Sequence, residues 1–376
     1  MRIVFITTGL ATGGAEKMLA KLLSRLKDAQ IEAGVVSLLP SGPVSKEIEA
    51  LGIPLWHLGL DTPWRVPQAA VSLVRITQHF RPDVIQGWMY HGNLAAWWAR
   101  GVAARQARLF WGIRQSLYDL GREKPLTRWI IRLGARLSPG VTAILYNSQT
   151  ARGQHEAAGY AAARAHVIDN GFDTGRFGPD GVAYRSVREE LGLAPEAKLI
   201  GLVARFHPMK GHEVFITAAR QLVACRANVH FLLAGRDVSL DHSLFRDASG
   251  DPCMRGRLHL LGERQDIPRL TSALDIASSA SSWGEAFPNA IGEAMSCGVP
   301  CVATAVGDVA RIIGDTGFVI PIGDAAALAN AWKHLLALPD GERQALGARA
   351  RLRVIEHFSL ERIAARYAAL YRSESA

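Results

Sequence analysis

At 376 residues the chain is too long for one ordinary hydrophobic core, and its 49% apolar and 20% charged residues suit a soluble globular protein, so two domains are expected. No apolar run reaches the roughly 18 residues needed to span a bilayer, which excludes a transmembrane helix. The net charge of +9 lies wholly in residues 1–172, where 20 Lys and Arg face 11 Asp and Glu and where seven of the nine tryptophans also fall. Basic residues with interleaved aromatics suit an anionic membrane surface or a phosphorylated partner; nucleic acid is the competing reading, and no nucleic-acid motif supports it.

The chain opens on Arg2–Thr7, a buried-type strand whose apolar run is too short for a leader peptide, so a cytoplasmic chain is expected, peripheral on the membrane if its basic half meets one. A glycine-rich turn, residues 9–14, and a helical pattern over 15–26 complete the opening of a nucleotide-type α/β unit. The turn lacks G-x-G-x-x-G spacing, which weakens a dinucleotide reading. Strands at 32–38, 53–57, 84–87, 109–111 and 142–146 alternate with helical runs, the pattern of a parallel sheet covered on both faces. Functional groups in such sheets lie at the carboxyl ends of strands. Met89 to Asn93, with His91 among them, follow one such end, and Gly112 to Ser116 follow another. From Arg100 to Arg136 nine basic residues face only Asp119 and Glu123, and Arg128, Arg132 and Arg136 recur every four residues beside Trp129, Ile130, Leu133 and Leu137. That stretch reads as a helix able to lie on a membrane surface, or as an ordinary surface helix with solvated arginines.

A turn cluster at 170–177 marks the expected domain boundary, with domains at 1–172 and 173–357 and a closing helix at 358–376. The second domain restarts the alternation with strands at 198–204, 229–234, 258–261, 275–277, 301–304 and 318–320. Arg205 and Lys210 flank the junction between the first of these strands and the helix that follows through 223, so two cations and a helix dipole meet at one anion-sized spot. The stretch 281–300 is the richest in chemistry. Pro288 suits the start of a helix, Gly298 its stop, and Pro300 prevents continuation, so a helix is expected over 288–297. Glu293 is the only charged residue from Ala286 to Gly307, and burying it without a partner costs several kcal/mol, roughly. Glu285, just before the helix, stands at the spacing E-x7-E from Glu293. On their own the two read equally as a capping carboxylate and a buried ion-pair member. Four cysteines, 225, 253, 297 and 301, have neither C-x-x-C spacing nor a histidine cluster and are expected to be reduced.

Glu285 to Glu293, with Phe287 and Pro288 between them and Gly298 to Thr304 after them, resembles the signature of the large retaining glycosyltransferase family 4. The resemblance extends over essentially the whole chain and implies the GT-B fold, an α/β architecture of two doubly wound Rossmann-like domains facing a cleft, the first meeting the acceptor and the second the nucleotide sugar. It implies transfer of a sugar from a nucleoside-diphosphate donor to an acceptor hydroxyl with retention at the anomeric carbon. Arg205 and Lys210 would stabilise the leaving diphosphate, Glu285 would hold donor-sugar hydroxyls and Glu293 the ribose. Gly13 and Gly14 would approach the donor through backbone N–H groups, Ala286, Phe287 and Pro288 would line its site, and the loop carrying Arg264 would pack around the base. No cofactor is implied, and the absence of Asp-x-Asp supports metal independence.

Two departures bear on the chemistry. A histidine common in the family near the reacting carbon is replaced by Gln115 or Arg114, with His91 approaching from the neighbouring strand as the third acceptor-side candidate. Ala286 stands where glycine is common, harmless if the backbone there is not left-handed. The acceptor implied is a lipid-linked or lipopolysaccharide-like glycan. The alternatives are a non-catalytic GT-B subunit that docks a partner transferase, and a nucleotide-sugar epimerase.

Overall fold

The computed structural model describes residues 1–226 and 228–373. Contacts divide the chain into two units, Met1–Gly171 with Leu360–Ala376, and Phe172–Ser359. The first unit runs β1 (Arg2–Thr7), α1 (Gly14–Leu26), β2 (Glu32–Ser37), α2 (Pro43–Ala50), β3 (Leu55–His57), α3 (Val66–Phe80), β4 (Val84–Trp88), α4 (Met89–Ala103), β5 (Arg108–Ile113), α5 (Pro125–Leu137), β6 (Ala143–Tyr146), α6 (Gln149–Ala157) and β7 (Ala165–Val167). Its seven strands are all parallel, in the order β3-β2-β1-β4-β5-β6-β7, with Ile3 opposite both Ala33 and Val84. The order reverses at β1, the crevice-forming position of an open α/β sheet. A last helix, α15 (Leu360–Arg372), returns to this unit. Its fully buried Tyr371 sits edge-on to Phe5 and Phe110, and its hydroxyl donates to Gln86 Oε1 at 3.0 Å. A buried aromatic of this size contributes about 2–3 kcal/mol, and the satisfied hydroxyl lets a polar atom lie in the core without loss.

The second unit runs α7 (Gly181–Glu190), β8 (Lys198–Val203), α8 (His212–Val223), β9 (Val229–Ala234), α9 (Ser243–Gly250), β10 (Leu258–Leu260), α10 (Ile267–Ser272), β11 (Ile276–Ser279), α11 (Asn289–Ser296), β12 (Cys301–Thr304), α12 (Val309–Ile313), β13 (Gly317–Ile320), α13 (Ala325–Ala337) and α14 (Asp340–Phe358). Six parallel strands lie in the order β10-β9-β8-β11-β12-β13, so the reversal here is at β8. One side of the sheet is packed by Phe215, Phe231 and Trp332, whose indole donates to Ser278 Oγ at 2.8 Å. A buried pair, Arg188 to Asp275 at 2.6 Å, ties α7 to the sheet, and the same carboxylate accepts from Leu199 N at 2.8 Å.

Several expectations are corrected. Phe172, expected to close the first domain, belongs to the second unit: its N donates to Phe358 O at 2.8 Å and its ring stacks on Phe287. Pro288 is the residue before α11 and not its first residue, in extended backbone with φ −70° and ψ 111°. Strand β7 escapes sequence reading because its three residues, Ala165, His166 and Val167, show no alternating pattern. Among the described residues no helix is long and apolar enough to cross a membrane.

Candidate functional site

In the second unit, the loops after β8 and β11 meet at the carboxyl ends of two adjacent strands, at the position where strand order reverses. Three contacts join them. Ser282 N donates to Met209 O at 2.8 Å. Gly211, at φ +65°, lies so close to Ala280 that a Cβ would collide with its carbonyl oxygen, so only glycine serves here on both counts. The Lys210 ammonium donates to Glu285 Oε1. Both partners are mostly shielded, at 21% and 16% side-chain exposure, which strengthens the pair relative to a surface one. Glu285 Oε1 also accepts from Ser281 Oγ at 3.3 Å.

Arg205 stands exposed on the same loop as Lys210 and makes no ion pair among the described residues. His207, between them, accepts from Met209 N through Nδ1 at 3.2 Å, and burial followed by Arg205 and Lys210 holds its pKa below the ordinary value. Glu293, one helix turn into α11, lines a cavity of about 10 Å³ with Gly201, Val203, Ser278 and Ala290, room for one water. Behind Glu285, Gly307 at φ +58° presses on the carbonyls of Glu285 and Ala286, and Asp308 N donates to Ala286 O at 3.1 Å. The backbone at Ala286 is not left-handed, so alanine is accommodated there without strain.

Of the other residues expected around the donor, Phe287 and Pro288 are buried and Arg264 lies in an ion-pair network. Phe287 is buried, stacked on Phe172 with ring centroids 5.9 Å apart and edge-on to Phe358 at 5.6 Å, so its side chain belongs to the core. Pro288 is buried as the residue before α11. The Arg264 guanidinium is held by Asp266 at 2.7 and 2.8 Å and by Glu190 at 3.0 Å, with Arg269 sharing both carboxylates. These two arginines hold Asp266 well below the usual carboxylate range, Arg264 first.

In the first unit the reversal lies between β1 and β4, and the residues expected there lie on α1 and α4. Gly13 caps α1 in extended backbone at φ −133° with no side-chain hydrogen bond, and Gly14 is the first helical residue. The carboxylate of Glu16 folds back over Gly13, so the helix amino end meets this chain's own anion; burial raises the Glu16 pKa. His91 is half-buried in the first turn of α4, and burial lowers its pKa. Arg114, expected on the acceptor side, is instead buried: it donates to Tyr367 Oη at 2.6 Å and to Asn170 Oδ1, and lies over Trp88 at 4.8 Å. Gln115 is half-buried and donates to Glu123 Oε1 at 2.9 Å.

Three features escaped sequence reasoning. Ser281 and Thr304, which donates to Ser281 O at 2.5 Å, buttress Glu285; the serine-rich run at the end of β11 was the available signal. Met89 adopts φ +66°, a strained backbone for a side chain of this size, where β4 turns directly into α4. Tyr90 then anchors that turn through its hydroxyl to His155 Nε2 at 2.8 Å.

Residues 12–176 match the family described as Glycosyltransferase Family 4, and residues 197–338 match that described as Glycosyl transferases group 1. A lipopolysaccharide core biosynthesis mannosyltransferase, LpsB, of Rhizobium meliloti (strain 1021) is 31% identical over 216 residues, 55% of this chain and 60% of that protein. An N-acetyl-alpha-D-glucosaminyl L-malate synthase of Bacillus anthracis is 28% identical over 187 residues, 49% of this chain and 48% of that protein. The chain thus spans about half the length of the curated relatives it matches. Among solved structures, Anabaena Alr3699/HepE in complex with UDP-glucose superposes with a TM-score of 0.84 over 98% of this chain and 99% of that one, at 24% identity, which shows a shared fold. With one family match on each unit and two Rossmann-like sheets of the GT-B fold beneath them, the chain belongs to the group 1, family 4 glycosyltransferases.

Proposed function

We propose that the chain moves a hexose from a nucleoside-diphosphate sugar to an acceptor hydroxyl, with retention at the anomeric carbon and without a metal ion, in the assembly of a cell-surface polysaccharide, lipopolysaccharide or glycolipid at an anionic membrane surface. The observation that carries this reading is the Lys210–Glu285 pair at the ends of β8 and β11. Without donor, the lysine and the carboxylate neutralise one another. An arriving diphosphate offers the ammonium a denser anion, and Arg205, exposed on the same loop, adds a second cation. Lys210 shifts its bond to the diphosphate, and Glu285 turns its oxygens to the sugar hydroxyls.

As the glycosidic bond breaks, the negative charge gathering on the leaving diphosphate meets both cations in a partly dehydrated site, which lowers the barrier. Mannosyl transfer in a lipopolysaccharide-core relative and UDP-glucose in a structural neighbour support a sugar-nucleotide donor and a glycan acceptor. The lack of Asp-x-Asp supports metal independence. Turnover of the purified chain, followed by proton NMR of the product's anomeric signal with and without EDTA, tests the reading. The expected product keeps the donor's anomeric configuration and forms at the same rate in EDTA; an inverted product, or loss of turnover in EDTA, refutes the retaining or the metal-independent part respectively.

A further inference from the structure

In the first unit, right-handed crossovers place helices that advance from β1 toward β3 on one face of the sheet and those that advance from β4 toward β6 on the other. Accordingly α1 packs against α2 and α15, while α4 packs against α3 and α5. The two faces differ in carboxylate content. Helices α3, α4 and α5 carry no aspartate or glutamate, yet hold Arg75, Arg100, Arg128, Arg132 and Arg136. The opposite helices are also net basic, but their seven Lys and Arg are set among Glu16, Glu47, Glu49 and Glu361, and Arg25 pairs with Glu361 at 3.0 Å. The faces also differ in apolar exposure. The exposed tryptophans among the described residues are Trp64, Trp97, Trp98 and Trp129, all on or just before these three helices, with Trp64 88% and Trp129 58% exposed. Helix α4 turns Tyr90, Asn93, Ala96 and Ala99 inward, which leaves Trp97, Trp98 and Val102 facing out.

A soluble surface rarely leaves several large apolar rings uncovered without a partner. Tryptophan suits the headgroup layer of a bilayer, and arginine without neighbouring carboxylates suits anionic lipid phosphates. We propose that the outer face of α3, α4 and α5 docks on a bilayer containing anionic phospholipid, its tryptophans in the headgroup layer and its arginines on the phosphates. The spread of both features over three adjoining helices, instead of one groove, fits a broad planar partner. The inference rests on the preceding reading only in placing the chain at a membrane, and not on its donor chemistry.

The test is sedimentation of the full chain with vesicles of phosphatidylcholine alone and with about 30% phosphatidylglycerol added. Binding is expected to the anionic vesicles only, with a blue shift of tryptophan emission, and to weaken as salt rises from about 0.05 to about 0.5 M. Replacing Arg128, Arg132 and Arg136 together by Gln should weaken binding on the order of a hundredfold, about fivefold per charge, with an unchanged thermal midpoint. Trp64→Ala with Trp129→Ala should shrink the blue shift. No sedimentation, equal binding to neutral vesicles, or capture by polyuridylic acid without vesicle binding overturns the inference. Saturation transfer to nucleoside-diphosphate sugars on the same preparation separates the two readings: donor binding without vesicle binding defeats this inference alone, and vesicle binding without donor binding upholds it while defeating the transferase reading.

Discussion

Glu285 and Lys210 lie 75 residues apart in sequence, and only the parallel pairing of β8 with β11 brings them into contact. The predicted consequence of Glu285→Gln is a fall in turnover of about a hundredfold or more, because the amide neither balances the ammonium nor accepts from two sugar hydroxyls. Initial rates at saturating donor measure this, and a thermal midpoint close to the parent's would assign the loss to chemistry. Arg114 makes the opposite case. Its guanidinium lies in the core, and Arg114→Leu would remove the donor to the Tyr367 hydroxyl and to Asn170 Oδ1, costing about 3 kcal/mol. Urea denaturation followed by tryptophan emission reads that loss; a change below about 0.5 kcal/mol, the range of ordinary surface substitutions, would contradict the assignment. Neither the buried Arg114 nor the core position of Phe287 was legible from sequence. An arginine past a strand end and an aromatic inside a signature motif both look like site residues, and only the partners Tyr367 and Phe172, 253 and 115 residues away, show how deeply each side chain is packed. Histidines add a pH term. Burial pushes His155 and His212 down to about 4 from 6.5, so the unfolded chain takes up protons between these values and the folded chain does not. Their contribution to stability is whole above pH 6.5 and is lost as pH falls toward 4. Thermal midpoints measured over that interval should drop with acid, and less steeply in His155→Gln.

At the scale of elements, the stop signals of α11 were readable because Gly298 and Pro300 act through local backbone geometry, and Gly298 indeed adopts φ +73°. The basic amphipathic pattern of α5 was readable for the same reason: helical spacing alone puts Arg128, Arg132 and Arg136 on neighbouring turns. Contact between loops was not readable. Gly211 and Gly307 look like ordinary turn glycines, yet each lies against the backbone of the segment between β11 and α11. Gly211→Ala would force both a left-handed alanine and a collision with the Ala280 carbonyl, moving Lys210 away from Glu285. The expected result is a loss of donor affinity of tenfold or more, on the order of 1.4 kcal/mol, read by isothermal titration. Undiminished affinity would show that the two loops need not interlock to bind donor.

Over the whole molecule, alternation of strand and helix patterns identified two Rossmann-like sheets, because parallel strands buried on both faces must be apolar throughout and their connections must be helical. The split of charge between the halves and the basic run over residues 100–136 were equally visible, but that α3, α4 and α5 adjoin on one face followed only from the crossover geometry that segregates helices to opposite faces. The proposed sugar-nucleotide site in the second unit would use Lys210 on the diphosphate and, as the family resemblance implies, Glu293 on the ribose. Saturation-transfer NMR from the protein to a panel of nucleoside-diphosphate sugars, repeated with Lys210→Ala and Glu293→Ala, tests it most directly. Transfer to one or two donors is expected, abolished by each substitution in a protein that remains folded. Transfer to no donor by the folded parent chain, or transfer unchanged in both variants, would contradict it.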